Sequence, residues 1–89
     1  MNNRRSNIEV IADILRLGEA GKTEIMYSAN MSYRQLHGYL QFLTKHGFIE
    51  LVKVGNPVTT YRVNKKGLRL LKTIDNLLEM LALREKDDF

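Results

Sequence analysis

The 89-residue sequence predicts one mainly α-helical domain with a small β-hairpin, followed by a long C-terminal helix. Two capping boxes, Ser6–Glu9 and Ser32–Gln35, each stand before a periodic apolar segment. A turn sequence at 55–57 separates two segments rich in β-branched residues. These observations predict three helices, a hairpin and a last helix, which we divide into a domain over residues 1–64 and a helix over residues 65–89.

The composition is that of a folded protein with a basic balance. Hydrophobic residues make up 44% and charged residues 27% of the chain, which argues against intrinsic disorder. Fourteen Lys and Arg against ten Asp and Glu give a net charge of +4, a modest indication of a polyanionic partner. Because the chain has no cysteine, neither disulfides nor thiolate metal sites can stabilise it, and apolar packing must do so.

The first three helices are predicted from their start and stop signals. The first begins at Ser6 and ends before Gly18, and its apolar residues cover so much of its circumference that we expect it to lie between two layers. Thr23 is a candidate N-cap for a short second helix, which Asn30 ends. A third helix runs from Ser32 to about residue 45.

Two strands and a last helix complete the prediction. Residues 48–54 and 58–63 read as strands around the Gly55-Asn56-Pro57 turn. Two short helices joined by a few residues, then a hairpin, are the order of a winged helix-turn-helix, with the turn as the wing tip. Asn64 is expected to cap a helix that continues to about residue 85, and Gly67 is expected to weaken its first turn by up to about 1 kcal/mol.

The run Ile25-Met26-Tyr27-Ser28-Ala29-Asn30-Met31-Ser32-Tyr33, the later K-K-G-L motif and the leucine-rich helix resemble a known group. They are similar to small archaeal winged-helix DNA-binding proteins, of chromosomes and viruses, that dimerise through an antiparallel C-terminal coiled coil. The resemblance spans about residues 7–83 and implies a symmetric dimer on double-stranded DNA. It also implies that the third helix enters the major groove and that the wing lies at the backbone or minor groove. The C-terminal helix is shorter here than in the longer members, which affects the spacing of the two halves.

The predicted DNA contacts lie on one side of the third helix and on the wing. Arg34 and Gln41 can read guanine and adenine edges by paired hydrogen bonds, and Gly38 allows close approach of the backbone. Tyr33 is expected in the core, although its hydroxyl could reach a phosphate. An ordinary solvated helix face and an ordinary polar turn are the alternatives. The full candidate set is Ser32, Tyr33, Arg34, Gln35, His37, Gly38, Gln41, Lys45, Lys53, Asn56, Thr59 and Arg62.

A leucine stripe on the last helix predicts a homodimer. Its spacing places it within about 120° of the helix surface, and part of it follows heptad spacing. The alternative is that the helix folds back onto its own domain, but a domain this small has little interior for six large residues. The stripe consists of Leu70, Leu71, Ile74, Leu77, Leu78 and Leu81.

The function predicted from these features is double-stranded DNA binding by a homodimeric transcription regulator or an architectural protein. A winged helix that docks only onto another protein is the alternative, with Phe42 as its candidate apolar contact. An enzyme is not expected, because His37 and His46 fall on opposite sides of one helix and no phosphate loop or nucleophile motif occurs. We expect no cofactor, metal or membrane association, and a cytoplasmic location with the nucleoid, or in the host cytoplasm if the protein is viral.

Overall fold

A computed structural model of the chain has the mainly helical fold with a small sheet that the sequence predicts. The backbone is described for residues 6–53 and 59–88, and the side chains for residues 6–52 and 60–81. Within these ranges the elements in chain order are α1 (Asn7–Arg16), β1 (Glu19–Gly21), α2 (Lys22–Ala29), α3 (Tyr33–Lys45), β2 (Ile49–Lys53), β3 (Thr59–Val63) and α4 (Lys65–Asp88). The predicted turn at 55–57 lies outside the described residues.

Both predicted capping boxes are present and fix the first turns of α1 and α3. The backbone N–H of Glu9 donates to Ser6 Oγ over 3.1 Å, and Ser6 N–H donates to Glu9 Oε1 over 3.0 Å. In α3 the N–H of Gln35 donates to Ser32 Oγ over 3.2 Å, and Ser32 N–H donates back to Gln35 Oε1 over 3.3 Å. Each box satisfies two N–H groups near a helix start that have no partner within the helix.

The prediction that Thr23 caps α2 is wrong. The helix begins at Lys22, with Gly21 as its N-cap residue and no side-chain cap. The physical reason is that Gly21 is the last residue of β1 and pairs with Thr60, so the chain passes from strand to helix without a loop. The predicted stop at Asn30 is confirmed, because this residue has the left-handed conformation, with φ of 54°.

The sheet has three antiparallel strands in the order β1-β3-β2, one more than the predicted hairpin. In the hairpin, Ile49 pairs with Val63 and Leu51 pairs with Tyr61. On its other edge β3 pairs with β1, where Ala20 lies opposite Tyr61. The added strand ties the segment between α1 and α2 to the base of the hairpin.

The core lies where α1, α2, α3 and the sheet meet. Its largest fully buried side chains are Leu15, Ile25, Leu36, Leu40, Leu43 and Ile49. Each such side chain stabilises the fold by about 1.5–3 kcal/mol relative to exposure. Three of them lie on one face of α3, so this helix is anchored along its length and its other face is left at the surface.

The expectation that α1 lies between two layers is confirmed, and α4 of the same chain supplies the second layer. Val10, Ala12, Ile14 and Leu15 of α1 are all buried. Helix α4 packs against α1, and the two are also joined by an ion pair between the Arg16 guanidinium and the Asp75 carboxylate.

Helix α4 starts at a tight contact with the loop before β2. Asn64 caps the helix as predicted, because its Oδ1 accepts a hydrogen bond from Gly67 N–H over 2.8 Å. Gly67 is buried, and a Cβ at this position would overlap the carbonyl oxygen of Phe48 and lie 2.8 Å from Val63 Cγ1. The glycine therefore does more than weaken the first turn, as the sequence suggested, because it permits the close approach of α4 to the sheet.

Candidate nucleic-acid interface

The surface of α3 is divided as the sequence predicts. Leu36, Leu40 and Leu43 are buried, whereas the opposite side is exposed. At about 100° per residue, the residues of this exposed side span a sector of roughly 100°. This sector, which we call the α3 outer face, consists of Arg34, His37, Gly38, Gln41 and Lys45.

Two candidate residues at the start of α3 are committed to the helix cap. Ser32 Oγ accepts the N–H of Gln35, and its hydroxyl also lies 3.3 Å from Gln35 Oε1. The carboxamide oxygen of Gln35 is therefore occupied within the chain. The pair positions the first turn of α3, and the Nε2 group of Gln35 is the part of this pair that remains for another partner.

Tyr33 is not in the core, contrary to the expectation from sequence, and 51% of its surface is exposed. It is the first residue of α3, at the flank of the outer face. Its hydroxyl accepts a hydrogen bond from Lys22 Nζ over 3.0 Å, and its ring lies 6.0 Å from the ring of His37 in a stacked arrangement. Tyr39, by contrast, packs against the core and donates from its hydroxyl to Asn7 Oδ1 over 2.6 Å.

Lys22 is a basic residue beside the outer face that sequence reasoning missed. It is the first residue of α2, and its Nζ also lies 4.7 Å from the centre of the Tyr33 ring. The hydrogen bond to Tyr33 raises the pKa of Lys22, and this outweighs the lowering effect of partial burial. The ammonium is therefore fully charged at neutral pH. Nothing in the linear sequence pairs residues 22 and 33, which come from different helices.

A cleft separates α3 from the sheet. Its volume is about 650 Å³, and it opens to solvent along the outer face. The helix side carries polar groups of His37, Gln41 and Lys45, and the strand side carries Leu51 and Tyr61. Sequence reasoning assigned neither strand residue to the site, because only the pairing of β2 with β3 brings them to the cleft.

Gly38 lies on the helix side of this cleft with open space around it. Among the described residues, no side-chain or backbone atom outside the helix would lie within 4 Å of a Cβ at this position. Packing within the chain therefore does not require glycine here, unlike at Gly67. With no side chain at this exposed position, the backbone of α3 is more accessible here than along the rest of the outer face.

The wing candidates are only partly described. The side chains of Lys53, Asn56 and Thr59 lie outside the described residues. Arg62 lies at the base of the hairpin, where its Nε donates to Glu19 Oε1 over 3.1 Å, and Glu50 is its neighbour across β2. Its charge is therefore matched by a carboxylate within the chain.

The leucine stripe on α4 divides between the core and the surface. Ile74 is only 6% exposed and contributes to the chain's own packing, and Leu70 and Leu71 pack against the core cluster. Leu78 is half-buried. Leu77 and Leu81 are 42% and 45% exposed, beside the exposed Met80. Folding back onto the domain thus accounts for the first half of the stripe, whereas its second half is not covered by any of the residues whose side chains are described.

Two further features bear on the alternative functions. Phe42 is 45% exposed, beside the outer face, with its ring centre 4.5 Å from that of His46. Among residues 6–52 and 60–81, no three His, Asp or Glu side chains gather in a group that could hold a metal ion. Nor does any described helix combine the length and hydrophobicity that a bilayer crossing requires.

The order of helices and strands, and the division of α3, match one family throughout. The winged helix-turn-helix family matches residues 4–82 of the chain. The chain belongs to the winged helix-turn-helix family. A relative from Methanocaldococcus jannaschii, an uncharacterized protein, is 35% identical over 81 residues, which are 88% of this chain and 78% of that protein.

Solved structures show the same fold. Sso10a-2, a DNA-binding protein from Sulfolobus solfataricus, superposes with a TM-score of 0.85 at 27% identity, over 93% of this chain and 88% of that one. The transcriptional regulator BldR from the same organism has a TM-score of 0.83 at 12% identity, over 91% of this chain and 62% of its own. The second likeness shows the fold alone. The resemblance noted in the sequence is thus confirmed for the winged-helix family and for similarity to archaeal members.

Proposed function

We propose that this chain binds double-stranded DNA as a homodimer and regulates transcription. The observation that carries the proposal is the outer face of α3, where Arg34, Gly38, Gln41 and Lys45 stand together on a helix anchored by three buried leucines. A rigid helix with an exposed polar and basic side can enter the major groove. The likeness to Sso10a-2, which is a DNA-binding protein, supports the same function.

Each part of the surface has its own role in this proposal. Arg34 and Gln41 read base edges, while Lys45 and His37 lie along the same groove. Ser32 and Gln35 fix the first turn of α3 and thereby bring Tyr33 to the phosphate backbone of the DNA. The hairpin meets a phosphate or the minor groove through four residues, Lys53, Asn56, Thr59 and Arg62.

The test is a binding titration by fluorescence anisotropy, with a labelled duplex recovered by selection from random DNA. Binding should weaken steeply with salt, because each neutralised phosphate releases counterions. Arg34→Ala should reduce the preference for the selected duplex over mixed DNA by about 1–3 kcal/mol. Arg69→Ala removes the same charge from an exposed position on α4 and should leave that preference unchanged. Equal loss in both variants would argue against base reading by Arg34.

The homodimer is supported by the uncovered half of the α4 stripe. Leu77, Met80 and Leu81 form an apolar surface on a helix that continues to Asp88. A second copy of the same surface is the occupant that we propose, with Leu78 at its margin and Leu70, Leu71 and Ile74 supporting the helix from within. Two-fold symmetry then predicts two half-sites one helical turn, about 34 Å, or a multiple apart.

Selection from random DNA also separates a regulator from an architectural protein. A regulator should recover a motif with two inverted halves, because a symmetric dimer presents the same α3 twice. An architectural protein should recover no motif and should bind mixed DNA equally well.

Docking onto another protein is the second candidate function, and one observation favours it. Phe42 and Leu51 are exposed large apolar residues that line the same cleft, beside the outer face. If no duplex is bound at micromolar protein and moderate salt, this function replaces DNA binding. In that case Phe42→Ser should abolish capture of the partner, whereas Arg34→Ala should not.

A further inference from the structure

Three side chains from two helices meet at the flank of the α3 outer face. Lys22 Nζ lies 3.0 Å from the Tyr33 hydroxyl, and the Tyr33 ring stacks on the His37 ring with 23° between the ring planes. His37 belongs to the outer face and also lines the cleft, as Tyr61 does. The positions of Lys22 and Tyr33 are therefore continuous with the surface that we assign to DNA.

The hydrogen-bond donors and acceptors of Lys22 and Tyr33 show which kind of partner these two side chains lack. A protonated lysine has three N–H donors and no acceptor, so the Tyr33 oxygen must accept from it. The hydroxyl hydrogen of Tyr33 therefore points away from Lys22, and no other described residue accepts it. Two N–H groups of Lys22 are also without a described partner. The pair thus offers three donors, two from the ammonium and one from the hydroxyl, to an acceptor with several oxygens.

The charge of Lys22 is not neutralised within the described part of the chain. Arg16 and Arg62 are each held by a carboxylate, of Asp75 and Glu19 respectively. Lys22 forms no ion pair among the described residues and is held by a neutral hydroxyl instead. The ammonium is therefore fixed in place while its charge remains available to an anion.

We propose that Lys22 and Tyr33 form a clamp for one backbone phosphate of the bound duplex. One phosphate oxygen accepts the Tyr33 O–H, and the Lys22 ammonium lies against the same group. This inference rests on the proposed function, since it assigns a phosphate contact to the surface that reads DNA. The contact is independent of base sequence, and it fixes the register of α3 in the groove.

The test uses the selected duplex with single phosphates replaced, one at a time, by uncharged methylphosphonate. At one phosphate in each half-site, the replacement should weaken binding of the unmodified protein but leave Lys22→Met unaffected. Lys22→Met should also lower the slope of log affinity against log salt by about 0.9 for each phosphate that is no longer neutralised. Lys72→Met, an exposed lysine on α4, is the matched control and should keep both responses.

Tyr33→Phe tests the hydroxyl separately. It should weaken binding by about three- to tenfold with a smaller change in salt slope, since the variant cannot donate the neutral hydrogen bond to the phosphate. The double variant should lose less than the product of the two single losses, because the residues act on one phosphate. Lys22→Arg should recover most of the affinity, and all variants should keep the circular dichroism spectrum of the unmodified protein.

The outcomes distinguish the clamp from the function on which it rests. If the unmodified protein binds the duplex but no methylphosphonate position depends on Lys22, the clamp is wrong and DNA binding stands. Independent, multiplicative losses in the double variant would also overturn it. If no duplex is bound, both proposals fall.

Discussion

Gly67 lies directly against the backbone carbonyl of Phe48, and any side chain at position 67 would overlap it. Alanine favours helices over glycine by up to about 1 kcal/mol, yet we expect Gly67→Ala to lower the free energy of unfolding by about 1–3 kcal/mol. The reason is that α4 must move away from the sheet to admit the methyl group. Urea denaturation followed by circular dichroism measures the change. A gain in stability would show that the contact can relax at no cost.

Gly38→Ala is the matched substitution at an open helical position. No atom of the described residues outside the helix would lie within 4 Å of the new methyl group, so the helix-propensity gain should appear as up to about 1 kcal/mol of added stability. DNA affinity should nevertheless fall by about tenfold, equivalent to about 1.4 kcal/mol, because the methyl group stands where we propose that the duplex approaches. Denaturation and anisotropy titrations on one sample separate the two effects. An unchanged DNA affinity would show that Gly38 is not part of the DNA-binding surface.

Leu81→Glu should convert the dimer that we propose to monomers. The substitution places a charge on the uncovered part of the α4 stripe, whereas Leu81 contributes little to the chain's own core because it is half-exposed. Light scattering should show half the mass, and DNA binding should weaken because two half-sites are no longer bound together. Lys72→Glu places the same side chain at an exposed position that lies about 180° around α4 from Leu81, and should leave the mass unchanged. If Leu81→Glu remained a dimer, the proposed contact between copies through Leu77, Met80 and Leu81 would be refuted.

Tyr33→Phe should lower the pKa of Lys22, because the hydrogen bond from Lys22 to Tyr33 is the main reason that this pKa is above its ordinary value of 10.5. A lysine whose pKa is raised by folding stabilises the protein fully below its unfolded pKa and loses that contribution as the pH rises through the folded value. The link therefore contributes fully at neutral pH, and the stability that it adds is lost only in strongly alkaline solution. NMR titration of the lysine side chains measures the pKa directly. An unchanged value in Tyr33→Phe would show that the hydrogen bond is not populated in solution.

Local signals made most of the helices predictable. The boxes at Ser6–Glu9 and Ser32–Gln35 depend on residues three apart, so the sequence alone contains both partners. The end of α2 at Asn30 likewise depends on a local preference, since asparagine tolerates the left-handed conformation. The buried leucines of α3 follow from helical periodicity, which needs no knowledge of what they pack against.

The features that sequence reasoning missed depend on residues far apart in the chain. Strand β1 has only three residues, Glu19–Gly21, which are too few to show a strand periodicity, and its partner β3 lies some forty residues later in the chain. Residues 22 and 33 meet only after α2 and α3 have packed. The close contact at Gly67 likewise depends on the Phe48 carbonyl, which lies outside α4. The sequence of α4 alone therefore suggested only a weakened first turn.

Helix α1 touches α3 through the hydrogen bond from Tyr39 to Asn7, and it is joined to α4 by the Arg16–Asp75 ion pair. Helix α1 therefore links the C-terminal helix directly to α3, the helix that we propose enters the groove. In a pair of copies, this direct packing would hold the two α3 helices at a constant separation. Where the grooves of a duplex do not match that separation, the nucleic acid rather than the protein would have to bend or twist.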